Sequence, residues 1–127
     1  MKMLLPAALL AMSASAAETL EDLRWKMRLL VVTGAAGKET REKLTTSKDG
    51  LSERDLRLIF VSDPGIDPAL AKQLRERLRI RPGTGEVLLL GKDGRTTLRW
   101  KAGDFTTADL FAKIDAMPMR KSEMRGD

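Results

Sequence analysis

Asp115 is the carboxylate whose position most invites a chemical reading. It falls in the last turn of a predicted helix, where the macrodipole disfavours negative charge by ~0.3–1 kcal/mol. Some cation must offset that cost, and Arg99, Arg120 and Arg125 are available. One reading is a structural Asp–Arg clamp that ties the C-terminal segment to the domain. The other is a carboxylate catalyst, because perturbed acids occur in active sites and in structural networks alike. Lys72, Arg75 and Arg79 form a second candidate group, with Arg77 and Arg81 nearby. Spaced three and four apart on the outer face of a predicted helix, they either grip phosphate or sulfate groups or simply meet solvent. No aromatic residue interleaves with them, so base stacking and a nucleic-acid partner are not expected.

The residue types that are missing narrow the chemistry further. The 127 residues include no cysteine, no histidine and no tyrosine. Disulfides, thiolate nucleophiles and thiolate metal sites are therefore excluded, as are imidazole ligands and an imidazole proton shuttle. Gly91-Lys92 resembles a phosphate-binding loop only superficially. The upstream glycine, Gly85, is one position too far away, and Asp93 stands where serine or threonine is needed. Asp63, Gly65 and Asp67 hint at a calcium loop, but Leu74 sits where the bidentate glutamate belongs. No catalytic residue, cofactor or metal is assigned from sequence.

Residues 1–17 have the three parts of a signal peptide. Lys2 lies in a short positive start, residues 4–12 are apolar, and Ala14, Ala16 and Ala17 supply small residues for cleavage near Ala16 or Ala17. The apolar run is too short for the ~20 residues of a membrane-spanning helix. The expected destination is the periplasm or the exterior, with residues 18–127 forming one domain. Without Lys2, 22 basic residues face 18 acidic ones, a net charge of +4. That balance suits an anionic surface such as phospholipid or polysaccharide head groups, although a solvated basic face is the simpler account of it. Another exported protein is a further possible partner.

The elements that must position these groups follow from hydrophobic patterning. A short lead-in over residues 18–27 has Thr19 as N-cap and Asp22 three residues on, where a capping box prefers glutamate or glutamine. Residues 29–32 read as a strand covered on both faces, followed by a helix over 38–48. Residues 56–61 form a second buried strand. Asp67 then caps a helix with Pro68 at its first position and an inward stripe of Leu70, Ala71, Leu74 and Leu78. After Pro82-Gly83, residues 87–90 form the most apolar strand, and Gly91-Lys92-Asp93-Gly94 turns into a returning strand alternating at Thr96, Leu98 and Trp100. Thr106 caps the last helix, Phe105 staples onto Leu110, and Ile114 and Met117 face inward before Pro118 stops it. The order β-α-β-α-β-β-α, with a right-handed first crossover, specifies an α/β thioredoxin-like domain with a mixed four-stranded sheet flanked by helices.

Several segments carry a family resemblance. They are Trp25-Lys26-x-Arg28, Glu53-Arg54-Asp55-Leu56, Gly91-Lys92-Asp93-Gly94 with Arg99, and Ile114-Asp115-Ala116-Met117-Pro118-Met119-Arg120 ahead of Glu123-Met124. Together they resemble the thioredoxin-like family called domain of unknown function 4174, over nearly the whole chain after residue 17. The resemblance implies an exported, peroxiredoxin-like fold and assigns no activity. In redox-active thioredoxin-like proteins the loop after the first strand carries two cysteines with two residues between. Gly34-Ala35-Ala36-Gly37 has that spacing without sulfur, so dithiol exchange and cysteine peroxidase chemistry are excluded. Free N–H groups at the following helix start offer an anion site, or the segment is a plain loop. The expected function is an exported non-redox binding or structural module. The alternative is a cysteine-independent hydrolase or isomerase using Asp or Glu with Arg.

Overall fold

The computed structural model describes residues 19–80 and 85–126. The signal-peptide reading and the Pro82-Gly83 connection lie outside these residues. Among the described residues, no helix is long and apolar enough to cross a membrane.

A short helix α1 (Leu20–Leu23) leads into β1 (Arg28–Val32). Asp22 completes the capping box despite being one methylene shorter than glutamate: its Oδ2 accepts the Thr19 N–H at 3.1 Å while Thr19 Oγ1 accepts the Asp22 N–H at 3.2 Å. A 3-10 turn (Gly34–Ala36) precedes α2 (Gly37–Leu44) and α3 (Lys48–Glu53), so the first crossover is two helices rather than one. Thr45, Thr46 and Ser47 divide them, because such side chains favour caps and turns over helix interiors.

β2 (Leu56–Phe60) runs parallel to β1, and α4 (Pro68–Leu78) follows with Asp67 accepting the Ala69 N–H as its cap. The stripe of Leu70, Ala71, Leu74 and Leu78 is buried as its spacing requires. β3 (Glu86–Leu90) lies antiparallel to β1, and β4 (Thr96–Lys101) antiparallel to β3, giving the sheet order β2-β1-β3-β4. The core has two halves. Leu29, Val31, Ile59, Leu88 and Leu90 face α1 and α4, whereas Leu30, Val32, Val87 and Leu89 face Leu44, Leu51, Phe105, Leu110 and Ile114. Burial on both faces explains why β1 and β3 are unbroken apolar runs.

Pro118 corrects the expected chain end. α5 (Thr107–Asp115) does end before it, but Pro118 then starts a further helix, α6 (Pro118–Arg125), at the first position where proline is favoured. Met117 is half-buried, packed against the core between the two helices.

Candidate functional site

The two ends of β1 carry different chemistry. At the carboxyl end the chain leaves β1 towards one face of the sheet and leaves its parallel neighbour β2 towards the other. Neighbouring strands whose connections part in this way leave a crevice beyond their carboxyl ends. Here it measures about 350 Å³ and lies between Val32, Gly34 and Lys38 on one side and Phe60, Ser62 and Pro64 on the other. Arg41 crosses it with its guanidinium carbon 3.9 Å from the Phe60 ring centroid and Nη2 3.3 Å from Asp63 Oδ2. Both partners of that ion pair are exposed, so it orients the arginine more than it stabilises the fold. Gly34, at φ 46, opens the 3-10 turn on this wall. The glycine-to-glycine spacing therefore lines the crevice wall but supplies no nucleophile.

At the amino end most of the family-signature charges converge. Arg28 is 1% exposed and forks onto Glu123 from α6, with Nη1 at 3.2 Å and Nη2 at 3.0 Å. Its Nη1 also donates to the Arg54 carbonyl at 2.8 Å. Lys92 Nζ donates to Glu123 Oε2 at 2.8 Å and to Asp55 Oδ2 at 2.9 Å. Asp115 receives Arg54 through Nε at 3.1 Å and Nη2 at 2.9 Å, and Arg120 Nε at 3.1 Å. Arg120 reaches on to Glu53 Oε2 at 2.6 Å, and Arg54 stacks 4.0 Å over Phe111. Four cations and four carboxylates thus bind α3, β1, the β3–β4 turn, α5 and α6 into one network.

Hydrogen bonds from Arg54, opposed by burial and reinforced by Arg120, hold the Asp115 carboxyl below the ordinary range. Burial pushes Glu123 up, but its bonds to Arg28 and Lys92 outweigh this and leave it lowered. Burial likewise opposes the charge on Lys92, yet its bonds to Glu123 and Asp55 raise its pKa overall. A lowered carboxylate contributes stability above its unfolded pKa that is lost as pH falls through the folded one. The network should therefore hold across neutral pH and fail below about pH 4. Thermal melts in an acid series should show that loss, whereas a fall centred between roughly pH 6 and 7, where only imidazole ordinarily titrates, would contradict it.

The candidate groups are thus distributed unequally. Arg54, which sequence spacing did not select as a partner, joins Arg120 on Asp115, while Arg99 donates instead to the Leu78 carbonyl at 2.6 Å and Arg125 to Ser122 at 3.2 Å. Asp93 caps its own turn through the Arg95 N–H at 3.0 Å, and Gly94 takes φ 86 there. Gly91 lies beside Asp93: a β-carbon on Gly91 would stand 3.1 Å from Asp93 Oδ1. Trp25 stays outside the network and is exposed. Lys72 and Arg75 are exposed on α4, but Arg79 lies beyond its end in the left-handed cap at φ 54, so the three do not make one continuous helical face. Glu53 and Glu123 complete the network and were not selected as site residues. Proline at the first position of α6 and the i,i+3 pair Arg120–Glu123 were the signals available for the second of them.

Changing Asp115 to asparagine keeps the shape, removes the unfavourable dipole interaction and gives up the charge assistance of three hydrogen bonds from two arginines. With the side chain about a third exposed, the expected net loss is roughly 1–2 kcal/mol, or roughly 4–8 °C in melting temperature. A higher melting temperature would instead mark Asp115 as a strained functional carboxylate.

The parallel β1–β2 pair with its crossover, the β3–β4 hairpin and the closing helices define a thioredoxin-like fold. A solved structure of the reduced 2-Cys peroxiredoxin of Plasmodium vivax is similar, with a TM-score of 0.57 and 14% identity over 85% of this chain and 73% of that one. At that identity the likeness speaks for the fold alone. The chain belongs to the family described as domain of unknown function (DUF4174), which it matches over residues 19–123. No curated protein matches it.

Proposed function

We propose that the chain is an exported, cysteine-free binding module that holds a small ligand in the crevice between the carboxyl ends of β1 and β2. The crevice itself carries this reading: it opens at the switch point between parallel strands, where open α/β sheets take their ligands. Lys38 and Arg41 suit an anionic group, and Val32, Phe60 and Pro64 offer apolar contact to the rest of the molecule. Export rests on the tripartite pattern of residues 1–17. Asp115 and Glu123 are each hydrogen-bonded by two cations and sit on the low side of the carboxylate range, a state suited to architecture rather than to general acid catalysis at neutral pH.

The test is titration of ¹⁵N-labelled protein with small aliphatic and aromatic carboxylates and phosphate monoesters. Saturable shifts clustered on residues 34–41 and 60–64, and lost in Lys38→Glu with Arg41→Glu, are the expected result. Uniform or absent shifts would reject the crevice as a binding site. The same preparation should show no insulin-disulfide reduction and no thiol-dependent peroxidase turnover, because no residue supplies a thiolate.

A further inference from the structure

Trp25 is 57% exposed and its backbone stands at φ 70, a region that residues with a β-carbon rarely enter. A large ring turned to solvent on a strained backbone points to function rather than packing. The turn is pinned by the Trp25 N–H donating to the Lys92 carbonyl at 2.6 Å. Arg24 lies beside the ring, its guanidinium carbon 5.3 Å from the centroid, and its stem runs past Gly94. Lys26 and Arg95 are exposed in the same two turns.

Three neighbouring carboxylates are held by local partners and offset part of this positive charge. Glu21 lies 3.9 Å from Arg77, Asp22 closes the α1 capping box, and Asp93 accepts the Arg95 N–H. The nearby hollow, lined by Leu20, Arg24, Leu90 and Gly94, offers only about 20 Å³. That is room for roughly one water molecule, too little to bury a side chain of a protein partner. A fluid, negatively charged interface needs no pocket. It attracts clustered lysine and arginine, and the indole ring favours head-group depth.

We propose that this tip, Arg24, Trp25, Lys26 and Arg95, docks the domain on an anionic lipid bilayer with the Trp25 indole seated among the head groups. The surface lies at the opposite end of β1 from the crevice, so the two readings stand or fall separately.

The protein lacking residues 1–17 should co-sediment with vesicles of phosphatidylglycerol and phosphatidylcholine but not with phosphatidylcholine alone. Its tryptophan emission should shift to the blue on binding. Trp100 is buried against Phe105, so the shift should vanish in Trp25→Phe. Arg24→Ser with Lys26→Ser should weaken partitioning about twenty-fivefold, at about fivefold for each cation. Trp25→Asn should weaken it about tenfold or more. That variant should melt no lower than the parent, because asparagine tolerates the left-handed backbone. Lys72→Glu with Arg75→Glu should leave partitioning within about twofold, since α4 is not the docking surface. No binding by the parent, binding without an emission shift, or loss confined to the α4 variant would each overturn the proposal.

Discussion

Replacing Arg28 with alanine is expected to lower stability by about 3–5 kcal/mol and the melting temperature by roughly 10–20 °C. The guanidinium is buried, and one side of it binds both oxygens of Glu123 while Nη1 also satisfies the Arg54 carbonyl. Truncation therefore leaves a cavity, an unpaired carbonyl and a carboxylate that has lost its fork. Among the described residues, Arg28 Nε is the only buried side-chain polar atom without a hydrogen-bond partner, so this network carries one uncompensated group already. Glu123→Gln in the Arg28→Ala background should add much less than it does alone, because the two residues act as one unit. Denaturant melts of the four variants measure the coupling. A loss below about 1 kcal/mol for Arg28→Ala would mean that the fork adds little beyond a surface pair.

Phe105→Ala is the other large effect, at about 3–5 kcal/mol. The ring is buried at the start of α5, in the same cluster as Leu110, and meets Trp100 edge to face at a centroid distance of 5.0 Å. Its carbonyl also accepts Lys43 Nζ at 2.7 Å, which ties α2 to the same corner. Removing the ring loses a hydrophobic staple, an aromatic pair and packing against β4 together. Phe105→Leu should cost less than half as much, since it retains most of the volume. Near-ultraviolet circular dichroism should report the change directly, because Trp100 loses its rigid neighbour. An unchanged spectrum in Phe105→Ala would refute this account of the corner.

What could be read from the chain beforehand was local. The unbroken apolar runs placed β1 and β3, and Asp67 with Pro68 placed the start of α4, because strand burial and helix caps act over a few residues. Pro118 does mark the end of α5, but α6 was not foreseen, because proline is equally at home just after one helix and at the first position of the next. The split between α2 and α3 was missed for want of a glycine or proline to mark it. The Asp115 partners were half legible: Arg120 is five positions away, whereas Arg54 is 61 positions away and is brought in only by tertiary packing. The crevice had no signature of its own, since it arises from two connections parting to opposite faces and not from any residue.

The fork between Arg28 and Glu123 also sets a timetable. Ninety-five residues separate the two partners. At synthesis rates of roughly 5–20 residues per second, the counter-ion follows the arginine by roughly 5–20 seconds. Until then the amino end of β1 has no charge partner from α6 and no reason to give up its water. The nascent chain can gather its sheet and earlier helices first, but it closes this corner only when α6 emerges. A stop codon or a protease cut ahead of Glu123 removes this counter-ion, and should be read as a folding defect rather than a trimmed tail.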